Sequence, residues 1–193
     1  MPKNILKLIK KRASTRRYLN KDIPQNYIDK IIEAGIWGPA IHHIQPWEFV
    51  VVKDRHTIRR ISDMIIKEIR EKNPPGFILY PSIPPLSTAE LLIFAYNTGE
   101  FTNTIKKFRK KLFRRVKITE ISAISAAIQN MLLVAESLGI GSCWLNSPLF
   151  CKEEVNKLLH IDHDLVAVLT FGFYKECGKR AIRKPLSKSV KYI

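Results

Sequence analysis

Along this chain the apolar residues switch repeatedly between helical and extended spacing, and that switching predicts a sheet covered by helices. Asn4–Lys11 carries Ile5, Leu6, Leu8 and Ile9 at the spacing of a short amphipathic helix. Lys21-Asp22-Ile23-Pro24 reads as an extended link, with Pro24 placed just before a helix start. Tyr27, Ile28, Ile31, Ile32 and Ala34 then define a helix over Gln25–Ile36, stopped by Gly35 and Gly38. Trp47–Lys53 is β-branched and aromatic and predicts a strand. Ile58, Ile61, Met64, Ile65 and Ile69 give one apolar face to a charged helix over Asp54–Lys72. The proline-dense stretch Asn73–Pro85 predicts a loop or a short strand.

Glu90–Asn97 is apolar nearly throughout, as a central strand covered on both faces must be. Thr98–Lys117 is a polar and basic excursion. Thr119–Leu138 holds Ile121, Ile124, Ile128, Met131, Leu132 and Ala135 on one stripe and predicts the longest helix, ended by Gly139. A strand at Ile140–Leu145, a short helix at Cys151–Leu159 led by the Ser147-Pro148 turn, and a strand at Asp164–Tyr174 follow, then a basic tail from Lys175 to Ile193. The order places the chain in the α/β or α+β class.

Composition narrows the class. With 193 residues, 46% of them hydrophobic, the chain suits one folded domain spanning 1–193 and excludes wholesale disorder. The apolar runs at Leu91–Tyr96 and Ala123–Ala127 are far shorter than a membrane span, so no membrane role is expected. Met1-Pro2-Lys3-Asn4-Ile5-Leu6 offers no apolar export signal. Cys143, Cys151 and Cys177 form no CxxC pair, which argues against a disulfide framework or structural zinc and fits a reducing cytoplasm. The balance of 33 Lys+Arg against 17 Asp+Glu, a net charge of +16, favours anionic ligands without choosing among them.

Candidate chemistry begins with Arg12-Ala13-Ser14-Thr15-Arg16, where a helix has ended and guanidinium groups can grip a phosphate bidentately. A second basic site is Arg180-Ala181-Ile182-Arg183-Lys184-Pro185-Leu186. Each alone reads equally as a solvated basic segment. The loop Gly38–Gln45, pinned between a helix end and a strand, could present His42, His43 and Gln45 to a ligand or be a plain connection. Lys106 to Lys117 interleaves basic and aromatic residues, which fits a solvated helix face, an anionic substrate or a nucleic-acid surface. His160 and His163 lack a third ligand, so no metal site is expected. Cys143 falls inside a predicted strand and reads as core.

Taken in order, Arg12-Ala13-Ser14-Thr15-Arg16, Gly38-Pro39-Ala40 leading to Ile44-Gln45-Pro46-Trp47, Ala126 to Trp144, and Arg183-Lys184-Pro185-Leu186 resemble the nitroreductase family of FMN-dependent oxidoreductases, over about residues 3–190. The resemblance implies an α+β fold, a mixed and mainly antiparallel central sheet flanked by helices, in a homodimer. It implies non-covalently bound FMN, NAD(P)H as reductant, and an electron-poor acceptor such as a nitroaromatic, quinone, enone or flavin. By position, Arg12, Ala13, Ser14 and Arg16 match the element that grips the FMN phosphate and reaches the ring edge. Pro39, Ala40, His43 and Gln45 match a loop supplied by the partner subunit and laid along the flavin. Trp144, Leu145 and Asn146, with Ser147, match backbone on the flavin's far face, and Arg183 matches the C-terminal phosphate arginine. No catalytic side chain is implied. Ala40 stands where the family has serine and His43 where it has asparagine, and Ser82–Ser87 departs from the pattern. The 98–117 excursion falls where the family roofs its substrate. A basic nucleic-acid-binding module without redox activity is the alternative.

Overall fold

The computed structural model describes residues 5–72, 80–108, 112–176, 178 and 180–193. The segment 73–79, the run 109–111 and Cys177, each named above, lie outside the described residues. Helix α1 (Ile5–Lys11) and α2 (Gln25–Ile36) precede strand β1 (Trp47–Val52). Helices α3 (Arg55–Lys72) and α4 (Ile83–Thr88) lead to β2 (Leu91–Asn97). Then come α5 (Glu100–Phe108), α6 (Phe113–Ser137), β3 (Gly141–Leu145), α7 (Lys152–Leu159) and β4 (Asp164–Gly172).

The strands pair in the order β1-β2-β4-β3, and each of these pairings is antiparallel. The parallel component of this mixed sheet is an isolated bridge between Ser14 and Ser142. Every residue of β2 is buried, as its apolar run predicts. The period-two alternation of strands divides the core. Leu91, Ile93 and Ala95 of β2 join Ile28 and Ile31 of α2 and Ile124, Ala127, Ile128 and Met131 of α6 on one face. Leu92, Phe94 and Tyr96 join Ile58, Ile61, Ile65 and Ile69 of α3, Leu86 of α4 and Val155 of α7 on the other. A bulge interrupts the β2–β4 register between Ala95 and Tyr96, so that Ala95 opposes Ala167 while Tyr96 opposes Leu165. Val166 is the extra residue, and both Val166 and Ala167 pack on the α6 face.

Two expectations are corrected. The proline-rich stretch is helical where described, a 3₁₀ turn at Tyr80–Ser82 running into α4. Pro84 and Pro85 occupy the first turn of α4, where their missing N–H groups have no intrahelical acceptor to lose. The longest helix starts at Phe113, not Thr119, because the basic excursion itself is largely helical: α5 and the first turns of α6. By length and composition α6 could cross a membrane, which the short uninterrupted apolar runs did not show. Its apolar stripe is instead spent on α2 and the sheet, with Ile124, Ala127, Ile128 and Met131 fully buried.

Candidate functional site

The backbone decides where the first arginine cluster goes. α1 ends at Lys11, and the chain then runs beside the free edge of β3, with Thr15 N donating to the Ser142 carbonyl at 2.9 Å and Ser14 bridging Ser142. An edge strand would otherwise leave its amide and carbonyl groups unpaired. Close approach requires glycine opposite: a Cβ on Gly141 would sit 2.7 Å from Thr15 Oγ1. Further on, the buried Tyr18 hydroxyl reaches the Thr15 carbonyl at 2.9 Å and Thr170 Oγ1 at 2.8 Å, locking the segment to β4. Burial holds that phenol well above its usual pKa, outweighing the Thr170 hydrogen bond.

The tail comes back to the same place. A Cβ on Gly178 would stand 2.3 Å from the Ser14 carbonyl oxygen, so the tail backbone crosses directly over Ser14. Arg12, Ala13, Ser14 and Arg16 thereby share one cavity of about 620 Å³ with Arg180 and Arg183. Gln129 of α6 completes a wall. Guanidinium groups stay charged at any working pH and fork onto phosphate or carboxylate oxygens. This donor set, with the Ser14 hydroxyl among it, fits a phosphate-bearing ligand. Gln129 was missed from sequence, and Arg180 was named there only as part of the second basic segment. Arg180 was visible as a basic residue, but only the tail's return over Ser14 singles it out; Gln129 gave no signal beyond its helix position.

The other predicted residues stand elsewhere. Pro39, Ala40, His43 and Gln45 do not line the arginine cavity and are exposed. Their loop is a tight hairpin, Ile41 and Ile44 exchanging both backbone hydrogen bonds at 2.9 and 2.8 Å. His42 and His43, at φ 47° and 68°, occupy its two central positions in left-handed conformation. That is the geometry of a type I′ turn, ordinarily filled by Asn or Gly, so no turn signal was legible. His42 also meets Phe101 of α5, ring centroids 6.0 Å apart.

Trp144 and Asn146 line a second cleft, of about 360 Å³, with Asn97, Ile121, Ser125 and Asp164 among its walls. Trp144 Nε1 donates to Asn146 Oδ1 at 2.8 Å, fixing the indole. Leu145 points to the opposite core with Cys143. The Cys143 thiol is core as expected, and burial pushes its pKa up against the weaker pull of Arg16, Ser14 and Arg12. At the cleft rim the fully buried carboxylate of Glu120 takes hydrogen bonds from Asn97 Nδ2 at 3.0 Å, from Thr102 N at 2.9 Å and from the Thr102 hydroxyl. It caps the first turn of α5 in place of an N-cap side chain.

Asp164, on the same cleft, is flanked by Lys117 and by Lys152 at 3.4 Å. Burial raises its pKa, but the Lys117 hydrogen bond and the two ammonium charges outweigh it, leaving the carboxyl below its ordinary value. A depressed folded-state pKa adds stability above the unfolded value near pH 4 and loses it as pH falls through the folded value. Asp164→Asn should therefore lower the melting temperature modestly at pH 7, and the difference from the parent should shrink as pH falls below about 4, which flattens the acid limb of the variant's profile. An acid limb identical to that of the parent would show that the lysines do not depress this carboxyl.

The nitroreductase family model matches residues 9–173. The chain belongs to the nitroreductase family. An Archaeoglobus fulgidus relative whose name carries the words NADH dehydrogenase/NAD(P)H nitroreductase is 29% identical over 177 residues, 89% of this chain and 86% of that protein. Among solved structures, a Desulfovibrio desulfuricans protein in complex with FMN is 25% identical, with TM-score 0.74 over 98% of this chain and 96% of its own. A BluB-like flavoprotein from Clostridium difficile, also 25% identical, aligns with TM-score 0.79 over 98% and 99%. The fold is thus that of the family, and the family is one of oxidoreductases.

Proposed function

We propose that this member of the family, an NAD(P)H-dependent FMN oxidoreductase, reduces an electron-poor organic acceptor such as a nitroaromatic, quinone, enone or free flavin. The observation that carries the reading is the meeting of Arg12, Arg16 and Arg183, from opposite ends of the chain, on one cavity with Ser14. Arg12, Ser14 and Arg183 would hold the FMN phosphate there, with Ala13 beside them, and Arg16 would serve the ring edge. The chemistry supplied by the bound flavin is two-electron transfer at N5, from NAD(P)H to the acceptor. The protein's own part is to bind, orient and exclude water, and no side chain serves as acid or base.

The reading includes a homodimer in which Pro39, Ala40, His43 and Gln45 of one copy cover the flavin of the other, while the Trp144–Asn146 backbone lines the far face. Exposed apolar groups support it: Ile36 and Trp37, the latter 79% exposed, directly precede that loop, and Ile5, Leu6 and Ile9 lie bare on α1. Large apolar side chains left bare on neighbouring turns of a helix in this way favour an interface. His43 keeps one donor or acceptor where the family has asparagine, so contact with the ring is retuned and not lost. α5 and the start of α6 roof the acceptor.

Anaerobic addition of NADH or NADPH should bleach the flavin bands of the purified protein, and one or more acceptors of the stated classes should restore them. A flavin that neither nucleotide reduces would end this reading. A colourless protein retained on DNA in a salt-sensitive way would support the nucleic-acid module instead.

A further inference from the structure

A third cavity, of about 550 Å³, opens between α3 and α4 on the sheet face opposite α6, within the size range of small-molecule sites. The flavin reading leaves it unused. Its floor is apolar, formed by the Tyr18 ring, Ile58 and Leu86. Its charged groups are Arg55, Arg59, Asp63 and Glu90, with Asn20, Ser62, Ser87 and Thr88 as its neutral polar lining.

Two buried atoms in this wall have no hydrogen-bond partner. Ser62 is 2% exposed, and its Oγ is unsatisfied. The Glu90 side chain is 9% exposed, and its Oε2 has only an ion contact with Arg55 Nη2 at 2.8 Å, without the alignment of a hydrogen bond. Burial accordingly raises the Glu90 pKa in spite of Arg55. Buried polar atoms are almost always satisfied, so a free hydroxyl and an ion-paired carboxylate oxygen still short of a hydrogen bond, both in the lining of one cavity, mark a place for a ligand's donors.

The charges narrow the ligand further. Arg55 is engaged by Asp22 at 2.8 Å as well as by Glu90. Arg59 carries no ion pair among the described residues, and neither does Asp63 one turn on. Two arginines against two carboxylates leave the wall without net charge, so a simple anion or a simple cation gains little from it. A ligand bearing both signs gains from each end.

We propose that this cleft binds a small zwitterion of the amino-acid class, its carboxylate on Arg59, its ammonium between Asp63, Ser62 Oγ and Glu90, and its side chain on the Tyr18–Ile58–Leu86 floor. The proposal does not depend on the flavin reading. It is tested by calorimetric titration of the purified protein with each proteinogenic amino acid, then with the decarboxylated amine and the deaminated acid of the tightest binder. One or more amino acids should bind saturably, and each single-ended analogue should bind at least about tenfold more weakly. Arg59→Ala, at an exposed position, should cost roughly tenfold in affinity, Ser62→Ala should also weaken binding, and Arg183→Ala should leave it unchanged. Absence of saturable binding by any amino acid in the millimolar range overturns the proposal. So does an amine or acid that binds as well as its zwitterion, an Arg59→Ala variant as tight as the parent, or loss of binding in Arg183→Ala.

Discussion

The double variant Arg12→Ala, Arg183→Ala should purify as a colourless protein that still folds. The two side chains border one cavity although they come from opposite ends of the chain, and neither lies in the sheet core. A charged hydrogen bond contributes roughly 1.5–3 kcal/mol, so losing both weakens FMN binding on the order of 10²–10⁴-fold. Arg16 and Arg180 remain, and for that reason the single variants should keep part of their flavin. The check is the visible spectrum of the protein as purified, followed by flavin-fluorescence titration, with far-ultraviolet circular dichroism to confirm the fold. A double variant that retains a full complement of flavin would place the phosphate elsewhere.

Glu120→Ala should be the most damaging single change away from the hydrophobic core. The substitution removes the acceptor for Asn97 Nδ2, Thr102 N and the Thr102 hydroxyl, all in a fully buried pocket. Leaving buried donors unpaired costs more than the net value of the bonds they made, here about 3 kcal/mol in total. For a chain of this size that is a fall of roughly 6–12 °C in melting temperature. Glu120→Gln keeps one oxygen acceptor and should lose about half as much. If the alanine variant melts with the parent, α5 is not held by this carboxylate.

Much of the fold was legible because its signals are local. β2 is apolar from Leu91 to Tyr96, and it is the strand buried at every position. The α2 and α3 boundaries follow from apolar spacing ended by Gly35–Gly38 and begun after Asp54. The misses share a cause: local composition opposed a choice made by tertiary contacts. Prolines near 84 read as a chain breaker, yet they fit the first turn of α4. Basic residues from Arg114 to Lys117 read as excursion, yet they continue a helix anchored further on by Ala123, Ile124 and Ala127. The His42–His43 turn carries no glycine or asparagine, and its left-handed backbone is sustained by the Ile41–Ile44 pairing.

The site divides in the same way. Arg12, Ser14, Arg16 and Arg183 could be picked out by residue type and order, and the structure gathers them on one cavity. Gln129, Arg180 and Glu120 could not. Their importance comes from the tail crossing Ser14 and from the buried end of β2, both of which are long-range facts.

Because the backbone beyond β4 must fold over Ser14 before the arginines face one another, the basic cavity is absent from the nascent chain while that segment is still inside the ribosome. If FMN binds there as proposed, its loading is a late event in the life of the polypeptide, and fusions or truncations beyond β4 should affect it before they affect the sheet.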